Sequence, residues 1–455
     1  MKLQEIAHAV HGELSSQTEI TIQKVSTDTR SIQKGDLFIP LIGEKFNGHE
    51  FINVAQEKGA VAVIVNENWW AKSKPTFTMP VIIVEDTLKA LQDLSKHHRK
   101  KFNIPVIAVT GSNGKTSTKD LIATILQQKL NVVKSKGNFN NEIGLPLTLL
   151  NIDKDTQAVV VEMGMRGLGQ IDELARIAQP TIGVVTNVAP VHLELLGKIE
   201  NIAIAKSELV KNIHKDGKVI LNGEDYWCRQ MEGWTEADVN FYGFESKHKY
   251  KAKNIEMYFD KSLFQLEIYN ESIDITLPIP GRHNILNSLA AAGVAYELGL
   301  NLKSISEGLK NSILSEKRLE KIILEKNIIL INDTYNANPV SMVASLDILS
   351  TVKNHRKIAV LGDMYELGKY EEEGHHTVGK QVHAKGIDIL VTVGELAKMI
   401  AQGALKSGML EDKVFIFTNN REATDHLKKI ITKGDTILFK GSRATKIEEI
   451  VKELV

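Results

Sequence analysis

Apolar positions along the chain follow two periods. Continuous apolar runs that end in glycine or a polar residue, VIAVTG (106–111), AVVVEMG (158–164), TIGVVTNV (181–188) and KVILNGED (218–225), have the pattern of strands buried on both faces. Segments between them space their apolar residues three and four apart, as amphipathic helices do: IENIAIAKSELVKN (199–212) is one, and Leu121, Ile122, Ile125 and Leu126 mark another. Such alternation predicts a mainly parallel sheet with helices on both faces and ligands collecting at the carboxyl ends of the strands. The same rhythm returns in KIAVLGD (357–363), DILVTVG (388–394), KVFIFTNN (413–420) and TILFKGS (436–442), which predicts a second doubly wound sheet.

Before residue 100 the runs are shorter. DLFIPLIG (36–43) and AVAVIV (60–65) read as strands, and HEFINVAQEKG (49–59) as a helix closed by Gly59, together a small α/β unit. The charged run SKHHRKKFNIP (95–105), closed by proline, reads as a solvated helix end and linker. A strand-rich insert (241–268) and the helix NILNSLAAAGVAYELG (284–299) complete the middle region. The fold class expected is therefore α/β in three domains. These are a small N-terminal α/β domain at 1–100, a central P-loop-type, mainly parallel domain at 101–313, and a C-terminal Rossmann-like domain at 314–455.

A length of 455 residues suits two or three cores. Lys plus Arg and Asp plus Glu each number 56, so no global field favours nucleic acid or an anionic membrane, and any anion must be gripped locally. The single cysteine, Cys228, excludes an intrachain disulfide and a cysteine-based zinc cluster. MKLQEIAHAVHGEL (1–14) alternates polar and apolar residues at helical spacing and lacks the apolar core of a signal or anchor; a cytoplasmic protein is expected.

Candidate chemistry gathers at strand ends. IAVTGSNGKTSTKD (107–120) runs from a strand through a Gly-rich turn into a helix. Backbone N–H groups at such a turn cradle phosphate, Lys115 can reach the outer phosphates, and the Thr116 hydroxyl occupies the magnesium-ligand position of a phosphate-binding loop. The general motif has glycine where this chain has Val109. Glu162 ends a second strand as a carboxylate suited to Mg²⁺. His192 and Glu194 follow a third, in a loop, as a metal ligand and a proton-transfer group. Lys206 reads from sequence alone as a lysine snorkelling to solvent, and EEEGHH (371–376) as a solvated turn.

Taken together, these segments resemble the Mur ligases, ATP-dependent amino-acid and peptide ligases of bacterial cell-wall synthesis. The family writes its loop T-G-[ST]-N-G-K-T, matched by Thr110–Thr116, so Val109 belongs to the family form. The resemblance extends through residues 26–52, 137–150 and 161–171, NVAPVHLELLG (187–197), AIAKSE (203–208), 281–292, NDTYNANPVSM (332–342), 359–368 and 439–451. Within the family, DTYNANP (333–339) and LGDMYELG (361–368) resemble the member that joins D-alanyl-D-alanine to UDP-N-acetylmuramoyl-tripeptide through an acyl phosphate, giving ADP and phosphate. Another ligase of the family, adding a diamino acid, and a non-catalytic nucleotide-binding protein are the alternatives.

The resemblance implies ATP and Mg²⁺, with Lys115, Glu162, His192 and Lys206 catalytic, and Thr116, Glu162, His192 and a carbamylated Lys206 on the metals. It implies nucleotide contacts from Thr110, Gly111, Ser112, Asn113, Gly114, Lys115, Thr116, Ser117, Asn284, Asn287, Arg318 and Asp333. Substrate contacts would come from Thr29, Arg30, Asn47, Gly48 and His49 on the uridine nucleotide, Asn140 and Asn141 on the muramoyl peptide, and Tyr335, Asn336 and Asn338. Lys317 stands where the family pattern has a small residue. The C-terminal domain would close on ATP and bind the amine, in a monomer without nucleic-acid or membrane partners.

Overall fold

The computed structural model describes residues 1–16, 18–73, 75, 77–191 and 193–455. Across these described residues it is an α/β structure with sheets of five, nine and six strands. By internal contacts the chain forms two compact units, one of Met1–Ala108, Leu130–Met165 and Gly169–Ile182, the other of Val109–Lys129, Arg166–Leu168 and Gly183–Val455. Among the described residues no helix is long and apolar enough to cross a membrane.

In the first unit the five-stranded sheet has spatial order Glu13–Leu14, Val81–Val84, Ala62–Asn66, Leu37–Phe38, Val25–Ser26, parallel except at the first edge. Strand Ala62–Asn66 shows why its sequence is an unbroken apolar run. Ala62 and Ile64 enter a core with Leu3, Ile6, Leu91 and Leu94, while Val63 and Val65 enter a second core with Phe38, Ile52 and Ala55. Successive side chains point to opposite faces, so a strand covered on both faces must be apolar throughout. Of DLFIPLIG only Leu37–Phe38 forms a strand; the helical segment closes at Gly59, whose φ of 105° suits glycine.

The charged run at 95–105 is less solvated than expected. Helix Thr87–Arg99 ends with Arg99 buried, its guanidinium donating to the carbonyls of Ala178 (3.1 Å), Phe102 (2.6 Å) and Ile104 (3.2 Å). These three carbonyls offset the desolvation of the guanidinium, so the cation ties the helix end to the chain around it. In the same unit Val132–Lys134 runs parallel to Ala158–Glu162, whose five residues are all buried.

The second unit carries Lys218–Asn222, Asp238–Gly243 and Tyr250–Met257 in parallel, followed by the antiparallel strands Ser262–Ile268 and Glu271–Leu277. Helix Arg282–Glu297 lies close to this sheet because its small residues permit it: a Cβ on Gly293 would meet the Tyr250 ring at 2.8 Å. The six-stranded sheet has order Glu320–Leu324, Ile328–Asn332, Thr436–Lys440, Lys357–Gly362, Ile389–Val393, Val414–Phe417, parallel except for the antiparallel first pair. Its strands divide their side chains as in the first unit: Ala359, Leu361, Leu390 and Leu438 face one core, and Ile358, Val360, Val391 and Phe439 the other.

Two sequence expectations change here. EEEGHH is the first turn of helix Glu371–Ala384, and its His375 is fully buried. Its Nε2 accepts from Met364 N–H (3.0 Å) while Nδ1 meets Glu371 O (2.6 Å). The acidic residues suit a helix N-terminus. Glu194, expected in a loop, lies on the single helical turn Leu193–Leu196.

Candidate nucleotide and ligase site

Strand Val106–Thr110, entirely buried, delivers the chain into the Gly-rich loop, and helix Lys115–Leu126 leaves it. The loop needs both its glycines. A Cβ on Gly111 (φ 148°) would stand 1.8 Å from Thr186 Oγ1, and one on Gly114 (φ 80°) 2.5 Å from Asn287 Oδ1. Val109, by contrast, lies inside the buried strand, one residue before its end.

The loop is held from below. Ser112 N–H donates to Asn187 O (2.9 Å), Asn113 N–H to Asn187 Oδ1 (2.9 Å), and the Ser112 hydroxyl exchanges bonds with the Ala189 backbone. Thr186 Oγ1 and Asn187 Nδ2 both donate to Asn113 O (2.6 and 3.0 Å). Lys115 curls over the loop with Nζ 2.8 Å from Gly111 O, and 3.3 Å from Ser112 O. A pre-shaped turn, a cation above it and a helix N-terminus behind it fit a phosphate group.

Asn284 and Asn287 are buried behind the loop in a chain of bonds. Asn284 donates to Pro280 O, Asn287 to Asn284 Oδ1, and the Thr118 hydroxyl to Asn287 Oδ1 (3.2 Å). Thr110, Thr116 and Ser117 are buried as well, Thr110 ending the strand and the other two opening the helix.

Residues after 314 reach the same loop. Arg318 Nη2 donates to Thr116 Oγ1 (3.0 Å), its guanidinium 4.0 Å from the centre of the Tyr335 ring. Asn338 Nδ2 donates to Asn113 Oδ1 (2.6 Å), while its own Oδ1 caps helix Pro339–Ser350. Asp333 accepts from Lys440 Nζ (2.5 Å), the Ser345 hydroxyl (2.6 Å) and Leu319 N–H (3.3 Å). Burial holds the nearby His283 neutral, with its pKa down to about 4. Lys317 has φ 61° and extends to Glu448 (2.9 Å), so it turns away from Arg318's partners. Among the described residues Asn336 bonds locally, its Oδ1 accepting from Ala337 N–H.

Lys206 overturns the snorkelling expectation. It sits on helix Ile199–Lys211 with 2 % exposure, and burial first, then the nearby Lys115 charge, push its pKa well below the usual lysine range. The neutral amine is therefore favoured. His192 lies outside the described residues.

In the first unit, Glu162 ends its strand buried, and its Oε1 accepts from Asn140 Nδ2 (2.9 Å). Asn140 O accepts from Gly164 N–H (2.8 Å), and Asn141 Oδ1 from Gly144 N–H (2.9 Å). The segment carrying Thr29 and Arg30 is exposed at Arg30, which pairs with Asp28 (2.6 Å) and holds that carboxyl below its usual range. Thr29 offers its carbonyl to Lys58 (3.0 Å). His49 is buried beside Gly48. Asn66 N–H donates to its Nε2 (3.0 Å), so Nδ1 carries the proton and donates to Asn47 Oδ1 (2.8 Å); burial lowers its pKa to about 4.

Sequence reasoning missed Thr186 and Asn187, which shape the loop, and Lys440, which pairs with Asp333. Each stands at a strand's carboxyl end, in TIGVVTNV or TILFKGS, and that position was the available signal.

The chain matches the Mur ligase middle domain over residues 109–295, the Mur ligase glutamate ligase domain over 317–443, and the Mur ligase family catalytic domain over 21–99. It is 38 % identical to the UDP-N-acetylmuramoyl-tripeptide–D-alanyl-D-alanine ligase of Bacillus subtilis (strain 168), covering 100 % of this chain and 98 % of that one. It is 35 % identical to the Escherichia coli (strain K12) enzyme of the same name, covering 99 % and 98 %. A crystal structure of MurF from Acinetobacter baumannii is similar with TM-score 0.90 and 31 % identity over 100 % of this chain and 98 % of that one. MurF ligase from Thermotoga maritima in complex with ADP follows at TM-score 0.83 and 26 % identity, over 96 % and 98 %.

Proposed function

Since the chain belongs to the Mur ligase family, we infer that it is the ATP-dependent ligase that adds D-alanyl-D-alanine to UDP-N-acetylmuramoyl-tripeptide. The observation that carries this is end-to-end likeness to ligases of that name, together with a T-G-S-N-G-K-T loop folded as an anion cradle. The peptide carboxylate is a poor electrophile in water. Phosphorylation by ATP replaces an oxygen that cannot leave with a phosphate that can, and the dipeptide amine then attacks the acyl phosphate, releasing phosphate and forming the amide bond.

Bringing a carboxylate to a γ-phosphate sets two negative charges against each other. Lys115 and the N-terminus of helix Lys115–Leu126 supply positive potential at the loop. Loop glycines let backbone N–H groups approach the phosphates, and Arg318, stacked on Tyr335 beside Thr116, contributes a second cation. We propose that Mg²⁺ is held by Thr116, Glu162, His192 and a carbamate on Lys206. Buried hydroxyl and carboxylate oxygens at Thr116 and Glu162 are hard donors that fit it. Bound there, it would offset phosphate charge. Neutral Lys206 is the form that adds to CO₂, losing one proton as the carbamate forms.

Thr29, Arg30, Asn47 and Gly48 are proposed to face the uridine nucleotide, with His49 positioning that turn from inside. Asn140 and Asn141 are proposed to line the muramoyl-peptide path, with Asn140 also orienting Glu162. Asn284 and Asn287 support the adenine side, Asp333 the ribose, and Tyr335, Asn336 and Asn338 the amine substrate. Division of labour among 1–100, 101–313 and 314–455, closure of the last on ATP, a monomeric state and a cytoplasmic place in cell-wall, and so cell-shape and division, metabolism complete the reading.

Incubation with ATP, UDP-N-acetylmuramoyl-tripeptide and D-alanyl-D-alanine should give the pentapeptide mass and one phosphate per product. Product only with a diamino acid would assign another ligase of the family. No phosphate release with any amine would leave a nucleotide-binding protein without ligation.

A further inference from the structure

Away from the phosphate loop, two neighbouring strand ends carry a second set of ligand atoms. Strand Lys218–Asn222 runs parallel to Asp238–Gly243, and Gly223 N–H donates to Tyr242 O (2.8 Å) where they end. Glu224 follows the first strand, and Glu245 and His248 lie on the turn after the second. One carboxylate oxygen of each glutamate and one ring nitrogen of His248 lie within 4.8 Å of one another.

His248 is 3 % exposed, and its Nε2 has no hydrogen-bond partner among the described residues, although it points at Glu224 Oε1 from 3.5 Å. A buried imidazole nitrogen that faces one carboxylate oxygen at 3.5 Å without a hydrogen bond, with a second carboxylate in the same cluster, is a group whose bonding a ligand could complete. The backbone leaves it room. A Cβ on Gly223 would stand 2.2 Å from His248 Cε1, and one on Gly243 2.4 Å from Glu224 Oε1 and 2.7 Å from His248 Cδ2.

Surrounding charges do not fill that role. Lys247 pairs with Glu245 at 2.8 Å, but both side chains are more than half exposed, so the pair is weak. Arg229 is directed to Gly223 O (2.8 Å), and Glu224 Oε1 accepts from Phe244 N–H (2.7 Å), which orients that carboxylate and leaves its other lone pairs.

We propose that Glu224, Glu245 and His248 bind a zinc-class divalent cation, at a site separate from the nucleotide loop. One imidazole and two carboxylates form the mixed nitrogen–oxygen set that such ions accept at about 2.0–2.2 Å, with water as the fourth ligand. Magnesium, which prefers oxygen and octahedral geometry, suits it less. The ion would pin the turn 244–249 to the end of strand Lys218–Asn222. Asn222 in that strand donates to Thr186 O (2.8 Å), and Thr186 supports the phosphate loop, so the ion would stiffen the loop's scaffold.

The test uses the full chain, stripped with EDTA and returned to millimolar MgCl₂ with saturating ADP, so that nucleotide-associated sites are occupied. Equilibrium dialysis against ZnCl₂ with elemental analysis should find one tightly held zinc per wild-type chain, and zinc should raise its thermal midpoint. E224Q/E245Q should bind that zinc at least tenfold more weakly and lose the midpoint shift, while the exposed control E271Q behaves as wild type. Should the double variant not fold, E245Q alone, at a solvent-facing position, should show the weakening. No zinc held by wild type, or unchanged affinity in the glutamine variants, overturns the proposal.

Discussion

Lys115 and Lys206 belong to the same unit, and the Lys115 charge acts on Lys206, yet the fold surrounds them differently. Lys115 sits half-buried above a turn whose carbonyls of Gly111 and Ser112 accept from its ammonium. Lys206 lies within a helix at 2 % exposure, where burial and its neighbour's charge favour the neutral amine. One nitrogen lies among backbone acceptors, and the other is pushed toward its neutral form. Burial away from water disfavours the charged form of an amine, and acceptors placed around it offset that cost.

The sharpest break of this comparison replaces each lysine by alanine. Both changes should lower ligation by roughly three orders of magnitude, within the range for loss of a charge-stabilising group in phosphoryl transfer. Added short carboxylic acids should partly restore K206A, whose missing group is proposed to act as an anion, and should not restore K115A. Phosphate release assays separate the two; equal rescue of both would erase the distinction.

Next in size is the ground on which Lys115 stands. G111A would place a Cβ 1.8 Å from Thr186 Oγ1 at φ 148°, and should cost at least about 3 kcal/mol of stability or open the loop. Urea unfolding with and without ADP would read this; wild-type stability with wild-type ADP binding would show that the loop has slack.

His49 tests the burial rule on a second neutral base. Its pKa of about 4 in the fold lies below the ordinary 6.5, so the unfolded chain takes up the proton first as pH falls. The stability contribution is complete above pH 6.5 and is lost as pH drops toward 4, by up to about 3 kcal/mol. In H49Q the slope of stability against pH across that window should flatten by about that much.

Arg99 is the converse case, a buried cation that stays charged because three carbonyls face it. R99A should cost about 2 kcal/mol in unfolding free energy by leaving those acceptors dry. A loss below a few tenths would mean that water replaces the guanidinium.

Much of the fold was legible in sequence because strands covered on both faces must be apolar throughout. VIAVTG, AVVVEMG and TILFKGS announced themselves in that way. EEEGHH and 95–105 were misjudged because polar residues were equated with solvent. His375 and Arg99 are buried, each held by local backbone acceptors together with one group farther along the chain, Met364 N–H for His375 and Ala178 O for Arg99, and that burial leaves no mark in the local pattern.

The candidate site divides similarly. Thr110–Ser117 was readable because a phosphate cradle is a local structure of about eight residues. The supports of that cradle, Thr186, Asn187, Asn287 and Asn338, arrive from segments 73 to 225 residues away.

By itself the sequence determined the strand-and-helix rhythm, the phosphate loop and, through ordered motifs, the family. Those properties follow from local periodicity and short-range backbone geometry. Only the tertiary structure decided that Lys206 is dry, that Arg318 reaches Thr116, and that His248 turns toward Glu224 a buried nitrogen that makes no hydrogen bond among the described residues. Burial and pairing depend on what other parts of the chain bring alongside, and a one-dimensional pattern contains no record of that proximity.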